Sequence, residues 1–231
     1  MAGRTTRPEG ESETGSAGRA TVRPRRTQKE RTAAAEHALL DAAESLFAQR
    51  GVEQTSLADV GQLAGYSRGL ANHHFGSKAA LVDALARRIQ AGFVTDSDAA
   101  REIEGTDTDA VDVLANLVEG YLSAIGRHPR TSGAFFVMWG AAIPTESALR
   151  TVFATDDANF RVGVEHLVRA GQANGSVDDT LDPVASAVTV AGMVRGIAAQ
   201  YLIAPDDVDL PAAGRAARRF LQMSLAPSHG V

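Results

Sequence analysis

The sequence predicts an all-α protein, with an amino-terminal three-helix head that contains a helix-turn-helix and a larger helical domain after it. From about residue 32 onward, apolar residues recur every three or four positions, as on one face of a helix. No segment shows the convincing apolar–polar alternation of a strand. Glycine and proline separate the helical stretches at short intervals. These three observations predict the fold class.

The composition is that of a soluble globular protein. The 231 residues are 44% hydrophobic and 22% charged, which suits one or two domains with an ordinary core. Cysteine is absent, so disulfides and thiolate chemistry are excluded. The amino terminus lacks the apolar core of a secretory signal, and the weakly polar stretch 184–194 is far short of the ~20 residues that span a bilayer. We therefore expect a cytoplasmic protein with no membrane partner.

The charge is divided unevenly along the chain. The net charge is −5, yet residues 1–90 hold 13 Lys/Arg against 10 Asp/Glu, and residues 91–231 hold 10 against 18. A basic amino-terminal third in an acidic protein favours contact with a polyanion, although chance unevenness is the alternative.

Residues 1–30 are predicted to be a disordered basic leader. They are rich in Gly, Ser, Thr, Pro and Arg, and bury too little apolar surface to offset the entropy of ordering. The basic cluster either touches phosphates or is simply solvated, and it comprises Arg19, Arg23, Arg25, Arg26, Lys29 and Arg31.

The head is predicted to span residues 31–78. Its first helix starts near Thr32, ends before Gly51 and has one apolar face, made of Leu39, Leu40, Ala43, Leu46 and Phe47. Thr55 or Ser56 caps a second helix, which Gly65 ends. Its apolar face is Leu57, Val60, Leu63 and Ala64. Ser67 caps a third helix over 68–74, Phe75 anchors its end, and Ser77 opens a fourth.

The remaining residues, 79–231, form the second predicted domain. Beyond the fourth helix, its helices are expected over 109–125, 130–141, 145–173, 183–202 and 211–225. Pro183 and Pro211 suit the first turn of a helix.

Residues 57–75 have the spacing of a helix-turn-helix, whose second helix enters the DNA major groove. Spacing alone leaves a plain αα-corner equally open. The local residues decide between them, because TSLADVGQLAGYSRGLANHHFGSKAALVDAL (55–85) closely resembles the DNA-binding head of TetR-family regulators. The matching positions are Thr55, Val60, Ala64, Gly65, Ser67, Gly69, Phe75, Ser77, Lys78 and Leu81.

The resemblance covers about residues 34–85 well. The stretches 175–177, 182–183 and 202–205 resemble the BetI type within that family less closely. Two positions depart from the family's usual residues, since Gly61 stands where Ala is usual and Asn72 where Tyr is usual, whereas His74 stands where the family has Tyr or His. At position 72 the family's Tyr contacts a phosphate, and Asn can do the same or pair with adenine.

The predicted DNA-binding residues surround the third helix. Arg68 and Gly69 are expected at its first turn, where Arg68 takes guanine or a phosphate. We expect Leu70 to meet a thymine methyl, His73 to face DNA, and Lys78 to bind a phosphate. An ordinary solvated side chain is the alternative for each. The full set is Thr55, Ser56, Ser67, Arg68, Gly69, Leu70, Asn72, His73, His74 and Lys78.

The resemblance also implies a ligand cavity and a dimer interface in the second domain. The cavity is expected among aromatic and Met side chains, although core packing is the alternative for each; they are Tyr121, Phe135, Phe136, Trp139, Phe160 and Met193. Gly192, Gly196 and Ala199 form a small-residue stripe on a helix expected to pair with its copy in a homodimer. Tight packing within one chain is the alternative for the stripe.

No motif indicates an enzyme, a cofactor or a metal. The nucleophile elbow, Walker loop and dinucleotide fingerprint are absent, and His73 and His74 point ~100° apart on a helix, so they cannot chelate one ion. The sequence predicts a ligand-responsive transcriptional repressor that binds a palindromic operator as a homodimer and is released by a small-molecule effector. The alternative is a helical ligand-binding or scaffold protein without specific DNA binding.

Overall fold

The computed structural model describes residues 3, 27–96 and 109–227, and these form nine α-helices with no strand among them. The all-α prediction is confirmed. Apart from residue 3, the predicted leader up to residue 26 lies outside the described residues. The helices are α1 Gln28–Arg50, α2 Leu57–Leu63, α3 Leu70–Phe75, α4 Lys78–Asp96, α5 Ala110–Arg127, α6 Pro129–Ala141, α7 Arg150–Asn174, α8 Pro183–Ile203 and α9 Leu210–Leu225.

Side-chain caps explain where most helices begin. The Thr27 hydroxyl accepts from the Glu30 N–H, and the Glu30 carboxylate accepts from the Thr27 N–H, so α1 starts four residues before the predicted Thr32. Ser56, rather than Thr55, caps α2 in the same way. Asp109, Asp182 and Asp209 cap α5, α8 and α9.

Two helix starts were predicted too early. The predicted seventh helix began at residue 145, but α7 begins at Arg150, after a turn in which the Ser147 hydroxyl donates to the Ala141 carbonyl. The recognition helix α3 begins at Leu70 instead of Arg68, which bears on the DNA-binding residues below.

The apolar core has two parts. The head core joins α1–α4 to α6 and the start of α7, and its fully buried members include Leu39, Phe47, Val60, Val82 and Leu85. The body core joins α5, α7, α8 and α9 around Leu114, Val118, Ile125, Val168 and Ala198. Phe135 and Met138 of α6 belong to the head core, so this core continues well past the predicted boundary at residue 78.

Polar contacts also join α1, α4 and α6 around the head core. The Arg88 guanidinium on α4 donates to Asp41 at 2.7 Å and to Glu44 at 2.9 Å, both on α1. The other Glu44 carboxylate oxygen accepts from the Thr131 hydroxyl on α6 at 2.7 Å. Glu44 therefore ties α4 and α6 to α1.

Helix α8 is apolar yet poorly covered. Among the described helices it alone is long and apolar enough, by length and composition, to cross a membrane, and 28% of that stretch is buried in the protein. The chain packs α8 against α7, α5, α6 and α9, and its Arg195 is ion-paired with Asp157 of α7. The exposed apolar remainder of α8 is thus a surface that a partner helix can cover.

Candidate DNA-binding surface and aromatic cluster

The turn between α2 and α3 is closed tightly over Gly61. The Tyr66 N–H donates to the Gly61 carbonyl at 2.9 Å, and Gly65 adopts a φ of 79°, a conformation that favours glycine. A Cβ built on Gly61 lies 2.7 Å from the Ser67 carbonyl oxygen. No side chain fits there without a shift, so glycine lets α2 approach the turn more closely than the family's usual alanine would.

Arg68 and Gly69 lie in this turn, before α3. The expectation that they form the first turn of the recognition helix is therefore wrong, because Gly69 is the N-cap residue and makes no side-chain cap. Both are exposed. Arg68 lies in the turn, two residues before the first residue of α3.

Most of the predicted DNA-binding residues share one exposed surface. Ala71 is fully buried against the head core and fixes the roll of α3, which turns Asn72 and His73 outward. Leu70 is half-buried against the head core, so much of its side chain is committed to packing. The exposed members of the predicted set are Ser56, Ser67, Arg68, Gly69, Asn72 and His73.

Thr55 is placed differently. Its side chain is buried, and its hydroxyl donates to the Gly51 carbonyl at 2.8 Å and accepts from Arg50 Nε at 3.4 Å. Arg50 also pairs with Asp59 of α2 at 2.7 Å. Thr55 therefore fixes the junction between α1 and α2 rather than presenting its hydroxyl to a ligand.

Lys78 and His74 also have partners within the head. The Lys78 ammonium donates to the carbonyls of Val52 and Glu53 at 3.1 and 3.3 Å, which leaves one N–H for a phosphate. His74 lies 3.5 Å from the Glu36 carboxylate of α1 and stacks edge-on against Phe75. Both residues hold α3 and its surroundings in place.

Sequence reasoning missed Tyr66. Its side chain is 39% exposed in the same turn as Arg68, and its phenol is a donor suited to a phosphate. The sequence places this residue between Gly65 and Ser67, two positions that match the family, so its place in the turn could have been read from the sequence.

A second group of predicted residues gathers between α5, α6, α7 and α8, and we call it the aromatic cluster. It comprises Tyr121, Phe135, Phe136, Trp139, Phe160 and Met193. The rings of Tyr121 and Phe160 are 6.4 Å apart, and those of Phe136 and Trp139 are 6.3 Å apart. All of its members except Phe135 are half-buried.

Charged residues that the sequence did not single out lie within the aromatic cluster. Arg195 of α8 pairs with one carboxylate oxygen of Asp157 on α7, and Trp139 Nε1 donates to the other at 3.1 Å. The Arg195 guanidinium also lies over two rings, 5.6 Å from the centre of Phe135 and 5.4 Å from that of Trp139. Asp157 and Arg195 are 38 positions apart, so no local pattern could pair them.

The neighbouring Asp156 differs from Asp157 in its pKa and in its hydrogen bonds. Burial raises the pKa of its carboxyl to about 6; Arg195 opposes this rise and Asp157 adds to it. Burial also raises the pKa of Tyr121 to about 12, so its phenol stays neutral. Asp156 Oδ2 and Arg195 Nη1 are both buried, and neither has a hydrogen-bond partner within the part of the chain that the structure describes. Buried polar atoms usually have partners, so this pair marks a place for a ligand or water.

A groove of about 370 Å³ lies elsewhere, between α5 and α9, and shares no residue with the aromatic cluster. Its one carboxylate, Glu119, is already bonded to Arg218 at 2.6 Å. Its lining is Glu119, Leu122, Ser123, Gly126, Arg127, Leu210, Pro211, Gly214 and Arg215. The groove thus lacks the unpartnered carboxylate that distinguishes the aromatic cluster.

The small-residue stripe on α8 faces outward. Gly192 and Gly196 are exposed, and a Cβ built on either meets no described atom within 4 Å. Tight packing within the chain, the alternative for these two glycines, is therefore not what the structure has. Val184 and Val188 on α8 and Phe220 and Met223 on α9 are more than half exposed.

Two family models match the chain. Residues 39–85 match bacterial regulatory proteins of the tetR family, and residues 110–226 match the carboxyl-terminal domain of BetI-type transcriptional repressors. The HTH-type transcriptional regulator TtgR of Pseudomonas putida is 30% identical over 179 residues, which cover 74% of this chain and 82% of that protein.

Solved structures agree in fold. A TetR-family transcriptional regulator from Rhodococcus sp. superposes with a TM-score of 0.70 and 25% identity, covering 84% of this chain and all of that one. A protein described as a transcriptional regulator from Saccharomonospora viridis, solved in complex with choline, gives a TM-score of 0.69. It is 20% identical and covers 85% of this chain and all of that one.

Proposed function

The chain belongs to the TetR family, with a carboxyl-terminal domain of the BetI type, and is a transcriptional regulator; from this premise we propose that it represses transcription in the cytoplasm. In this proposal it binds a palindromic operator as a homodimer, and a small molecule in the aromatic cluster releases it.

The exposed surface around α3 carries the DNA-binding part of the proposal. Arg68, Asn72 and His73 face outward from a scaffold that Thr55 and Lys78 hold internally. A guanidinium reads guanine or grips a phosphate, and an amide pairs with adenine. Tyr66 adds a phosphate donor beside Arg68.

The exposed faces of α8 and α9 support the homodimer. Gly192 and Gly196 let another helix backbone come close, and Phe220 and Met223, 66% and 83% exposed, supply apolar area on α9. A two-fold dimer sets its recognition helices ~34–36 Å apart for half-sites separated by one DNA turn.

Release by an effector requires a path from the aromatic cluster to the head, and Phe135 supplies one. Its ring is buried in the head core, and the Arg195 guanidinium of the cluster lies over it. A ligand that draws Arg195 away changes the packing of Phe135 and of α6, which Thr131 ties to α1 through Glu44. We infer that effector binding shifts the head through α6. The choline-bound neighbour is too distant in sequence to indicate the ligand of this chain.

The test is selection of bound duplexes from random DNA, followed by titration of a selected site at several salt concentrations. We expect sites with dyad symmetry, binding that weakens steeply with salt, and a dimer in sedimentation. Selected sites without dyad symmetry would contradict the operator proposal. Failure to bind any duplex would favour a helical ligand-binding or scaffold protein instead.

A further inference from the structure

The aromatic cluster contains one negative charge more than its own residues balance. Among the residues that the structure describes, Asp156 and Asp157 of α7 face a single guanidinium, that of Arg195 on α8. From α5 the titratable group is the Tyr121 phenol, which is neutral, and α6 contributes the uncharged Trp139. Asp157 uses both of its oxygens on Arg195 and Trp139, so the excess negative charge falls on Asp156.

The unpartnered oxygen of Asp156 requires a hydrogen-bond donor. Its Oδ2 is buried and accepts no hydrogen bond from any residue that the structure describes. A buried carboxylate is stabilised by an opposite charge and by a donated hydrogen bond, and a protonated amine supplies both at once. The rings of Tyr121, Trp139 and Phe160 nearby suit the apolar part of such a ligand, and their faces attract a cation.

We propose that the effector is a small apolar amine, protonated at neutral pH, whose N–H group donates to Asp156 Oδ2 while its hydrocarbon part lies against the aromatic cluster. This inference rests on the proposed function, because it assigns the chemical class of the effector. A quaternary ammonium supplies the charge but has no N–H, and a carboxylate ligand places a second negative charge beside Asp156. Both therefore bind more weakly than the amine.

The experiment is calorimetric titration of the full chain with four matched probes at pH 7.5. They are N,N-dimethyl-2-phenylethylamine, trimethyl(2-phenylethyl)ammonium, 3-phenyl-1-propanol and 3-phenylpropionate. We expect the dimethylamine to bind about tenfold or more tightly than the other three. The quaternary ammonium has the charge without an N–H, the alcohol has a donor without the charge, and 3-phenylpropionate carries a negative charge. Equal or tighter binding of the quaternary ammonium, the alcohol or the carboxylate overturns the proposal.

A pH series supplies an independent measurement. With a pKa of about 6, Asp156 is mostly ionised at pH 7 and mostly protonated at pH 5, so the dimethylamine should lose about tenfold in affinity over that interval. The alcohol, which is neutral, should change little. An amine affinity that stays constant between pH 7 and pH 5 overturns the role of Asp156.

Substitution identifies the residue. Asp156→Asn should reduce amine affinity to that of the alcohol and abolish its pH dependence. A variant that is folded and at least as stable as the parent is sufficient for this measurement. Asp179→Asn, at an exposed carboxylate in the loop after α7, makes the same charge change and should leave binding unaltered. Because Asp156 lies outside the DNA-binding surface, operator binding separates the two proposals. If the parent chain binds its operator but shows no preference for the amine, the proposed effector class is wrong. If the parent chain binds no operator, the proposed function is wrong.

Discussion

The head and the aromatic cluster differ in whether their polar side chains have hydrogen-bond partners within the chain. In the head, Arg50, Thr55 and Lys78 have partners within the chain, and these bonds hold the turn and α3 in one arrangement. In the aromatic cluster, one oxygen of Asp156 and one nitrogen of Arg195 are buried without a partner among the described residues. The difference agrees with the proposed function, in which the surface is preformed for DNA and a ligand completes the interior.

The largest expected effect is a loss of stability, and it tests whether the packing of the head core holds the head together. Phe47 is fully buried in the head core, so Phe47→Ala should destabilise the head by ~3–5 kcal/mol. Chemical unfolding followed by circular dichroism measures this. Phe220→Ala removes the same ring from a 66% exposed position and should change the stability of an isolated protomer by less than about 0.5 kcal/mol. Similar losses for the two variants would mean that the head core is misidentified.

Gly61→Ala tests how closely the turn is fitted. The added Cβ lies 2.7 Å from the backbone oxygen of Ser67, so the turn must shift, at a cost of ~1–3 kcal/mol in stability and a larger loss in operator affinity. Gly133→Ala on α6 meets no described atom within 4 Å and serves as the control. Full operator affinity in Gly61→Ala would show that the recognition surface tolerates movement.

Substitutions at Arg68 and Lys78 distinguish a residue that contacts DNA from one that also stabilises the head. Arg68→Ala should cost ~1–3 kcal/mol of operator binding, relax preference at one base pair if the contact is to guanine, and leave the melting temperature unchanged. Lys78→Ala should flatten the salt slope by about one phosphate for all sequences and also lower the melting temperature, because two carbonyls lose their donor. Operator titrations and melting curves of both variants provide the comparison. If both variants bind the operator as tightly as the parent, the surface around α3 does not contact DNA as proposed.

The smallest effect lies in the aromatic cluster and depends on pH. The pKa of Asp156 is raised in the folded protein, so protonation favours the fold, and this contribution is lost as pH rises through about 6. A rise from the usual 3.8 corresponds to at most about 3 kcal/mol, which partial exposure reduces to about 1–2 kcal/mol. Asp156→Asn should therefore be more stable than the parent at pH 7. The gap should narrow to about half by pH 5, because it closes fully only below the usual pKa of 3.8. Urea unfolding at the two pH values measures it, and a gap that is constant with pH would refute the assignment.

Local patterns predicted most of the fold. The apolar face of α1 and the starts of α8 and α9 are readable because periodicity and caps act within a few residues. The predicted face of α2 was wrong at Leu63, which is 55% exposed. The start of α3 was missed because tertiary packing sets it, through the contact of the turn with Gly61.

The candidate site was predicted less completely, for the same reason. Residue types indicated Arg68 and the aromatic side chains, but the roles depend on contacts between distant segments. Thr55 is buried, and Lys78 reaches carbonyls 25 and 26 positions away. Asp156 gave no signal in the sequence, because its missing partner is a property of the packed interior.

The position of Phe135 limits where substitutions can change ligand binding without changing DNA binding. Its ring is packed in the head core on one side and lies under Arg195 on the other, so a substitution there disturbs both activities together. Asp156 and Phe160 on α7 and Met193 on α8 lie outside the head core. Under the proposed function, new ligand preferences can therefore accumulate on α5, on α8 and on α7 beyond its start without loss of operator binding, whereas α6 is constrained by both roles.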